Sequence, residues 1–300
     1  MHSTPEEILS SGGRLRVALI TDAEHPGLRS DDVGLVEAFR AEGAIATPVP
    51  WGSALIDDGF DLAVIRTPWD YFLRPEAFGA WIDGLVVPVL NPKGVLRWNM
   101  DKRYLPELRD TGAAQIPRTA LLEAGEGNTA EVLKLAGAAR AVVKPVVSGG
   151  AHGTRVVSAA KPLVWDPSES GTYIVQEFVE SVTAKGEWSL IYFGGEFSHS
   201  VLKAPRAGDF RVQDDFGGTV SFDPPPGHLF DVAEKVLAGA QTVLGLTGPL
   251  PYARVDLVEA QDRGPALLME LELIEPELFF RADPASKGRF AREILSATRS

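Results

Sequence analysis

The sequence of 300 residues contains no cysteine, which excludes disulfide bonds, thiolate metal sites and thiol nucleophiles. It also lacks any apolar run near the about 18 residues that a membrane-spanning helix requires. Basic residues are in deficit, because the net charge is −12, so a broad surface for nucleic acid or anionic lipid is not expected. Residues 1–14 lack the basic start and apolar core of a secretory signal. We therefore expect a cytoplasmic protein whose residues 1–14 form a disordered tail.

The first part of the chain predicts an α/β lobe. Short apolar runs at 16–21, 45–49 and 62–66 are typical of strands buried in a parallel sheet. A helix is expected over 32–42, with Ser30 or Asp31 as its cap. In such lobes, ligands gather at the carboxyl ends of the strands.

Arg66 is the last residue of one of these runs. A guanidinium at a strand end can hold a substrate carboxylate through two parallel hydrogen bonds. An ordinary ion pair with Asp61 or Asp70 explains the same residue equally well. Arg66 is therefore a candidate for gripping an acid substrate, with the ion pair as the alternative.

The middle of the chain contains a candidate phosphate-binding segment. A helix predicted over 99–110 carries Lys102, and a later strand places Lys144 just before the glycine-rich stretch VVSGGAHGT. Flexible glycines let backbone N–H groups approach phosphate oxygens, while a lysine supplies positive charge. The Walker pattern is absent, since no Gly-Lys-Ser/Thr opens a helix here. A glycine-rich surface turn is the alternative.

Three cations follow in a segment rich in glycine and charge: Lys203, Arg206 and Arg211. In an acidic chain, such a loop favours a grip on an anionic group. Solvated loop charge is the alternative. Farther on, the periodicity of 229–244 predicts an amphipathic helix that packs on the core.

Near the C-terminus, two short apolar runs flank a polar turn and predict a β-hairpin. If the turn is centred near residue 263, Asp256 lies opposite Glu270 and Arg254 opposite Glu272, all on one face. Like charges placed opposite each other are destabilising, so a cation is a natural reason for this arrangement. Oxygen ligands favour Mg²⁺ or Mn²⁺. The alternative is a solvated acidic face.

In this order and spacing, the features resemble the ATP-grasp superfamily, and within it the glutathione-synthetase-like ligases. The metal signature of those ligases resembles Glu270-Leu271-Glu272 through Pro276, and their glycine-pair loop resembles Arg211, Gln213, Gly217 and Gly218. The phrases LRWNMDKRYL, GEWSLIYFGGEFSHSVLK, ARVDLV and LMELELIEPEL are also similar to D-cycloserine synthetases, which are ATP-dependent cyclo-ligases. The resemblance covers residues 15–298.

The resemblance implies an α/β ATP-grasp fold in three parts. These are an N-terminal α/β substrate lobe over 15–98, a small lobe with the phosphate loop over 99–185, and a C-terminal lobe with the metal site over 186–300. It also implies ATP with two Mg²⁺, and small-molecule carboxylate and amine substrates. The acidic composition and the lack of a long apolar run argue separately against a nucleic acid or membrane partner. Relatives with this architecture are often dimers, so a homodimer is one expectation.

The resemblance also assigns a role to each candidate residue. Nucleotide contacts are expected from Lys102, Lys144, Ser148, Gly149, Gly150, Gly153, the adenine hinge Gln176, Glu177, Phe178 and Val179, and the ribose ligand Glu187. The metal ligands are Asp256, Glu270 and Glu272, the last standing where these families usually have asparagine. Arg254 and Arg211 stabilise the transferring phosphoryl group. Substrate contacts are expected from Arg66, Lys203, Gln213, Gly217 and Gly218.

The implied reaction activates a carboxylate. Attack on a free carboxylate would expel oxide, whereas an acyl phosphate made from ATP expels phosphate and yields an amide with ADP. The protein must position the acid, neutralise the triphosphate and exclude water. We expect an ATP-dependent carboxylate–amine ligase for a small amino-acid-like acid. The alternatives are an intramolecular cyclo-ligase of the D-cycloserine synthetase type and a non-catalytic ATP-binding regulatory module.

Overall fold

A computed structural model of the protein describes residues 13–53, 56–206, 211, 217–260 and 264–298. Strands in this described part form three sheets, of four, four and five strands. Among the helices of these residues, none combines the length and apolar character that crossing a bilayer requires. The tail predicted over 1–14 lies almost wholly outside the described residues.

The first sheet is parallel and has the order β2-β1-β3-β4. Its strands are β1 (Arg16–Thr21), β2 (Ile45–Pro50), β3 (Leu62–Thr67) and β4 (Val89–Leu90). The connecting helices are α1 (Leu35–Ala41), α2 (Ile56–Gly59) and α3 (Pro75–Gly84). Every residue of β3 is buried, as expected for a parallel strand covered on both faces.

The start of α1 differs from the prediction. Neither Ser30 nor Asp31 caps it, because residues 30–32 form a separate 3-10 turn and the helix begins after Gly34. The Asp31 carboxylate instead accepts hydrogen bonds from the backbone N–H groups of Phe280 (2.8 Å) and Arg281 (3.0 Å). A contact with residues far along the chain has thus replaced the local cap.

The second sheet is antiparallel, with the order β5-β8-β6-β7. Its strands are β5 (Thr119–Glu123), β6 (Arg140–Pro145), β7 (Arg155–Ser158) and β8 (Thr172–Glu177). The sheet covers the helix Thr129–Ala136, which starts at a capping box between Asn128 and Glu131 and buries Val132 against the strands. Residues 13–118 precede this sheet in the chain.

The third sheet is antiparallel, with the order β11-β10-β9-β12-β13. Its strands are β9 (Glu187–Phe193), β10 (Glu196–Ala204), β11 (Thr219–Ser221), β12 (Tyr252–Val258) and β13 (Leu267–Glu272). The short helix between β8 and β9 comprises Ser181–Lys185, and the long helix before β12 comprises His228–Leu244. The long helix packs on the sheet through Leu229, Ala233, Val236 and Ala240, as the periodicity predicted.

The helix predicted over 99–110 is two helices, Lys93–Asn99 and Tyr104–Asp110. Between them, the Lys102 N–H donates to the Val146 carbonyl oxygen (2.8 Å), a contact that lies outside helical geometry. The break places Lys102 beside the glycine-rich loop rather than on a helix surface.

Two helices pack against elements that are distant from them along the chain. Leu105 and Leu108 lie in the core beneath the third sheet, a core that also includes Ile174 of the second sheet. The C-terminal helix Ser286–Ala297 packs on α1, where the rings of Phe290 and Phe39 meet edge to face at 6.3 Å. Apolar faces on these helices are buried against distant elements, which position along the chain did not indicate.

Candidate active site

The metal-binding candidates lie on the hairpin of β12 and β13. Arg254 pairs with Glu272 and Asp256 with Glu270, which confirms the predicted register. Because strand side chains alternate, these four lie on one face, while Val255 and Leu271 lie on the other, in the core. Oxygen atoms of Asp256, Glu270 and Glu272 lie within 4.8 Å of one another. All three donors are carboxylate oxygens, which fits a hard divalent cation such as Mg²⁺.

Cations balance this cluster from two directions. The Lys102 ammonium lies 2.8 Å from Glu270 Oε1. The Arg254 guanidinium pairs with Asp256 at 2.9 Å and also contacts Glu272. Both cations are largely buried, so the attraction is screened by water much less than at a surface.

Neighbouring strands extend the same charged face. Lys203 on β10 lies opposite Glu187 on β9, and its ammonium is 2.6 Å from Glu187 Oε1 and 3.4 Å from Asp256 Oδ2. Ser189, opposite Asp256, donates its hydroxyl to Asp256 Oδ1 at 2.5 Å. The face is thus a continuous row of paired charges across four strands.

The pKa values of Glu272 and Asp256 are shifted in opposite directions. Burial, with the negative charges of Glu270 and Asp256, raises the pKa of Glu272 to about 8, although Arg254 opposes the rise. Burial also disfavours the charge on Asp256, but attraction to Arg254 and Lys203 outweighs it and lowers the pKa to about 2. Negative charge is therefore least compensated at Glu272, where a bound divalent cation would relieve it.

The second sheet supplies the opposite wall. Lys144 on β6 faces the cluster, and its ammonium forms no ion pair with a carboxylate of the described residues. Burial lowers the pKa of Lys144, as does the like charge of Lys102, while Glu270 raises it. In the glycine-rich loop, Ser148 offers its carbonyl oxygen to the Lys102 ammonium at 2.7 Å. The two lysines therefore lie together at the base of this loop.

The predicted hinge comprises the last two residues of β8 and the two residues that follow it. Two of its amides are already used, because Glu177 N–H donates to Arg118 O and Phe178 N–H to Arg140 O, both at 3.0 Å. The Gln176 side chain is buried and donates to the Thr119 hydroxyl at 3.0 Å. No acceptor among the described residues engages the amide of Val179, the next residue along.

The N-terminal lobe contributes an aromatic and cationic wall that the sequence analysis largely missed. The Arg29 guanidinium lies 4.4 Å from the centroid of the Trp69 ring, and Trp69 Nε1–H donates to Glu275 O at 3.0 Å. Arg29 also contacts Asp22 at 3.2 Å, yet its buried Nε has no partner among the described residues. Trp69 could be anticipated from its place after β3, whereas Arg29 lies in a loop that shows no periodic pattern.

These surfaces enclose a cleft of about 1140 Å³. Three non-glycine residues of the described part have positive φ, namely Leu28 (73°), Ala151 (59°) and Phe279 (49°), and all three line the cleft. Strained backbone of this kind concentrates at functional sites. The cleft brings together most of the predicted residues: Lys102, Lys144, Ser148, Gly149, Gly150, Gln176, Glu177, Phe178, Val179, Glu187, Lys203, Arg211, Arg254, Asp256, Glu270 and Glu272.

Four predicted site residues do not line it: Arg66, Gly153, Gly217 and Gly218. Gly153 serves the turn instead, because its φ is 68° and an added Cβ would lie 2.9 Å from Pro145 Cγ. Gln213 lies outside the described residues.

Arg66 requires a correction. Its side chain has no solvent exposure, and its guanidinium pairs with Asp32 at 2.9 Å and donates to Pro276 O at 3.2 Å. The ion-pair alternative describes this side chain better than a substrate contact does, although the partner is Asp32 and not Asp61 or Asp70. A guanidinium enclosed in this way ties the N-terminal lobe to the segment after β13 and offers no surface to a substrate.

The chain is similar to proteins of D-cycloserine biosynthesis over most of its length. A family model for the N-terminal domain of D-cycloserine synthetase DcsG matches residues 17–91. Cycloserine biosynthesis protein DcsG of Streptomyces lavendulae is 31% identical over 297 residues, covering 93% of this chain and 97% of that protein. The crystal structure of D-cycloserine synthetase DcsG matches with a TM-score of 0.81 at 28% identity, covering 94% of this chain and 99% of that one.

Two more distant structures show the same fold. D-alanine–D-alanine ligase from Bacillus anthracis matches with a TM-score of 0.62 at 18% identity, covering 95% of this chain and 97% of that one. A RimK domain ATP-grasp protein from Sphaerobacter thermophilus matches with a TM-score of 0.64 at 18% identity, covering 95% of this chain and 100% of that one. The predicted α/β ATP-grasp fold is thereby confirmed.

Proposed function

The chain belongs to the D-cycloserine synthetase family of ATP-grasp ligases, and from that premise we propose how its cleft binds ATP and activates a substrate. The protein is an ATP-dependent ligase that joins a carboxylate to an amine. We propose that the acid is a small amino-acid-like molecule, activated as an acyl phosphate with release of ADP and phosphate. The observation that carries the proposal is the row of carboxylates in the cleft, with Lys102 paired to Glu270 and Lys144 on the facing wall.

Lys144 has the character expected of a phosphate ligand. Its ammonium is partly buried, lacks a carboxylate partner among the described residues, and has a lowered pKa. A phosphate oxygen entering the cleft would supply the missing negative charge, which makes the contact stronger than one at an exposed lysine. Lys102 is already shared between Glu270 and Ser148 O, so its proposed role is to hold the loop against the metal-binding carboxylates.

We assign the adenine base of the nucleotide to the hinge at the end of β8. Since the amides of Glu177 and Phe178 already donate within the fold, we assign the base contact to the Val179 amide. Glu187, largely buried beside Lys203, keeps its proposed role at the ribose. This assignment orients the triphosphate towards the carboxylate cluster.

Asp256, Glu270 and Glu272 are proposed to hold two Mg²⁺, with Mn²⁺ as a substitute. The fit is chemical, because the cluster offers only oxygen donors and its least compensated member, Glu272, has a pKa raised to about 8. Bound there, Mg²⁺ would neutralise phosphate charge. Arg254 lies within the same cluster, and we assign it to the charge that develops on the transferring phosphoryl group.

The acid is proposed to lie between this cluster and the N-terminal lobe. With Arg66 enclosed in the fold, Arg29 is the cationic group of that lobe best suited to a carboxylate, because it lines the cleft and its Nε lacks a partner among the described residues. The Trp69 ring behind it leaves the edge of the guanidinium available for a planar acceptor. Arg211 also lines the cleft and keeps its proposed place near the phosphoryl group.

An intramolecular reaction is the second candidate. It is favoured by the match to D-cycloserine synthetase, which extends over 94% of this chain. The same site would phosphorylate the acid, and an amine of the same molecule would then close a ring. We also propose a cytoplasmic location, since the reaction consumes ATP, and a homodimer as the assembly to be tested by its mass in solution.

The deciding experiment measures phosphate release from ATP and Mg²⁺ with amino acids and their derivatives, singly and in pairs, and identifies products by mass. Release that requires two substrates supports intermolecular ligation. Release with one substrate, and a product lighter by one water, supports cyclisation. No release across the panel, with ATP binding still measurable, would favour the regulatory module instead.

A further inference from the structure

The glycine-rich loop is contacted from outside its own sheet by a ring of the N-terminal lobe. Phe72 lies in a short 3-10 turn, Tyr71–Leu73, that follows β3. Its ring centroid is 5.1 Å from that of His152, with 37° between the planes. At Gly149 the approach is closer still, because a Cβ there would lie 2.9 Å from Phe72 Cδ1 and 3.1 Å from Cε1. The ring therefore rests directly on the loop backbone.

The loop has a second anchor at its base. The Lys102 ammonium holds the Ser148 carbonyl oxygen at 2.7 Å and Glu270 at 2.8 Å. Between these anchors and the following strand, Ala151 has a positive φ of 59°, which an L-residue adopts only when its surroundings impose it. The loop conformation thus depends on contacts made at both ends.

Phe72 is also tied to the wall that faces the proposed acid. Trp69, just before this turn, and Tyr71, its first residue, line the cleft, and Trp69 donates a hydrogen bond to Glu275 O. The Phe72 ring is half-buried against the apolar core of the N-terminal lobe. The wall that faces the proposed acid and the ring that contacts the glycine-rich loop therefore belong to one short segment, residues 69–72.

We propose that Phe72 is a positioning residue that sets the glycine-rich loop over the phosphates of ATP. This inference rests on the proposed function, since it takes ATP to be bound beneath the loop. It requires residue 149 to be glycine, because the ring occupies the space of any side chain at that position. Phe72 also links the two proposed substrate sites. The segment 69–72 lines the proposed acid site, and its Phe72 ring contacts the loop over the phosphates of ATP.

The test is a double-mutant cycle of Gly149→Ala, Phe72→Ala and the combined variant. Gly149 does not have a positive φ, so alanine there adds only the collision with Phe72. Each single change should lower kcat/KM for ATP by about tenfold, within the range of coupling between contacting residues. Gly149→Ala should cost little more once Phe72→Ala has removed the ring. Leu73→Ala is the matched control, because Leu73 is 60% exposed on the same turn.

Three outcomes would overturn the inference. If Gly149→Ala costs the same factor with and without the Phe72 ring, the contact does not position the loop. If Phe72→Ala lowers the melting temperature but leaves kcat/KM for ATP unchanged, the ring is only structural. If the wild-type protein binds no ATP by calorimetry, the proposed function fails, and this inference with it; normal ATP binding with additive variants would reject the Phe72 role alone.

Discussion

Replacing Lys144 with methionine should affect the free and the ATP-bound protein in opposite directions. In the free protein this ammonium is partly buried, without a carboxylate partner among the described residues, and its pKa is lowered. A lysine whose pKa is lowered on folding destabilises the folded state at every pH below its unfolded pKa of about 10.4, which includes neutral pH. Lys144→Met should therefore leave the melting temperature of the free protein unchanged or raise it.

ATP binding should become weaker, and with it the stability of the ATP-bound protein. Hydrogen bonds to charged groups contribute about 1.5–3 kcal/mol, so loss of this contact should weaken ATP affinity by roughly 10- to 150-fold. With ATP at about 100 times the wild-type Kd, ligand binding adds about 2.7 kcal/mol to the free energy of unfolding, and a tenfold weaker Kd reduces this to about 1.4 kcal/mol. The melting temperature in ATP should fall accordingly.

Calorimetry would give the affinity, and thermal melts with and without ATP would give the two stabilities. Lys161→Met is the matched control, because it removes an exposed lysine of the same lobe and should change neither. The reasoning is refuted if Lys144→Met binds ATP as tightly as wild type. It is also refuted if the variant loses stability without ATP, because the ammonium would then have a stabilising partner.

Three further substitutions test the rest of the site. Glu270→Gln keeps the shape and an acceptor for Lys102 but removes a metal-binding charge, so Mg²⁺-dependent phosphate release should fall by about 10- to 100-fold or more; near-normal release in a metal titration would reject the metal site. Arg254→Ala should lower kcat much more than ATP affinity, as expected for a group acting on the transition state; a change in affinity alone would reassign it to ground-state binding. Arg66→Met should cost about 3–5 kcal/mol of stability, because it leaves Asp32 buried without its partner, while KM for the acid stays unchanged in the folded fraction; a raised KM with normal stability would restore Arg66 to the substrate site.

Much of the arrangement of the candidate site could be predicted from local sequence patterns. Strand alternation places Asp256 and Arg254 on one face, and the length of the turn sets which residues of the next strand lie opposite them. Lys144 before a glycine-rich stretch is likewise a local feature. These relations are properties of short segments, so they can be read before the fold is known.

The part of the cleft formed by residues 28–72 was not predictable in the same way. Arg66 lies at the end of β3 and Arg29 in the loop after β1, and long-range packing decides which of the two faces the cleft. Arg66 is enclosed because Asp32 and the carbonyl of Pro276 meet its guanidinium, whereas Arg29 remains in the cleft.

The sequence by itself determined the family, the α/β fold and the charged hairpin, because periodicity, turn residues and motif order depend on neighbours along the chain. Tertiary structure alone decided which cations face the cleft and which are enclosed. It also decided that Phe72 would rest on Gly149, far away along the chain. The physical reason is that burial and pairing depend on which surfaces meet in space, and a ring-to-backbone contact of this kind leaves no periodic trace in either segment.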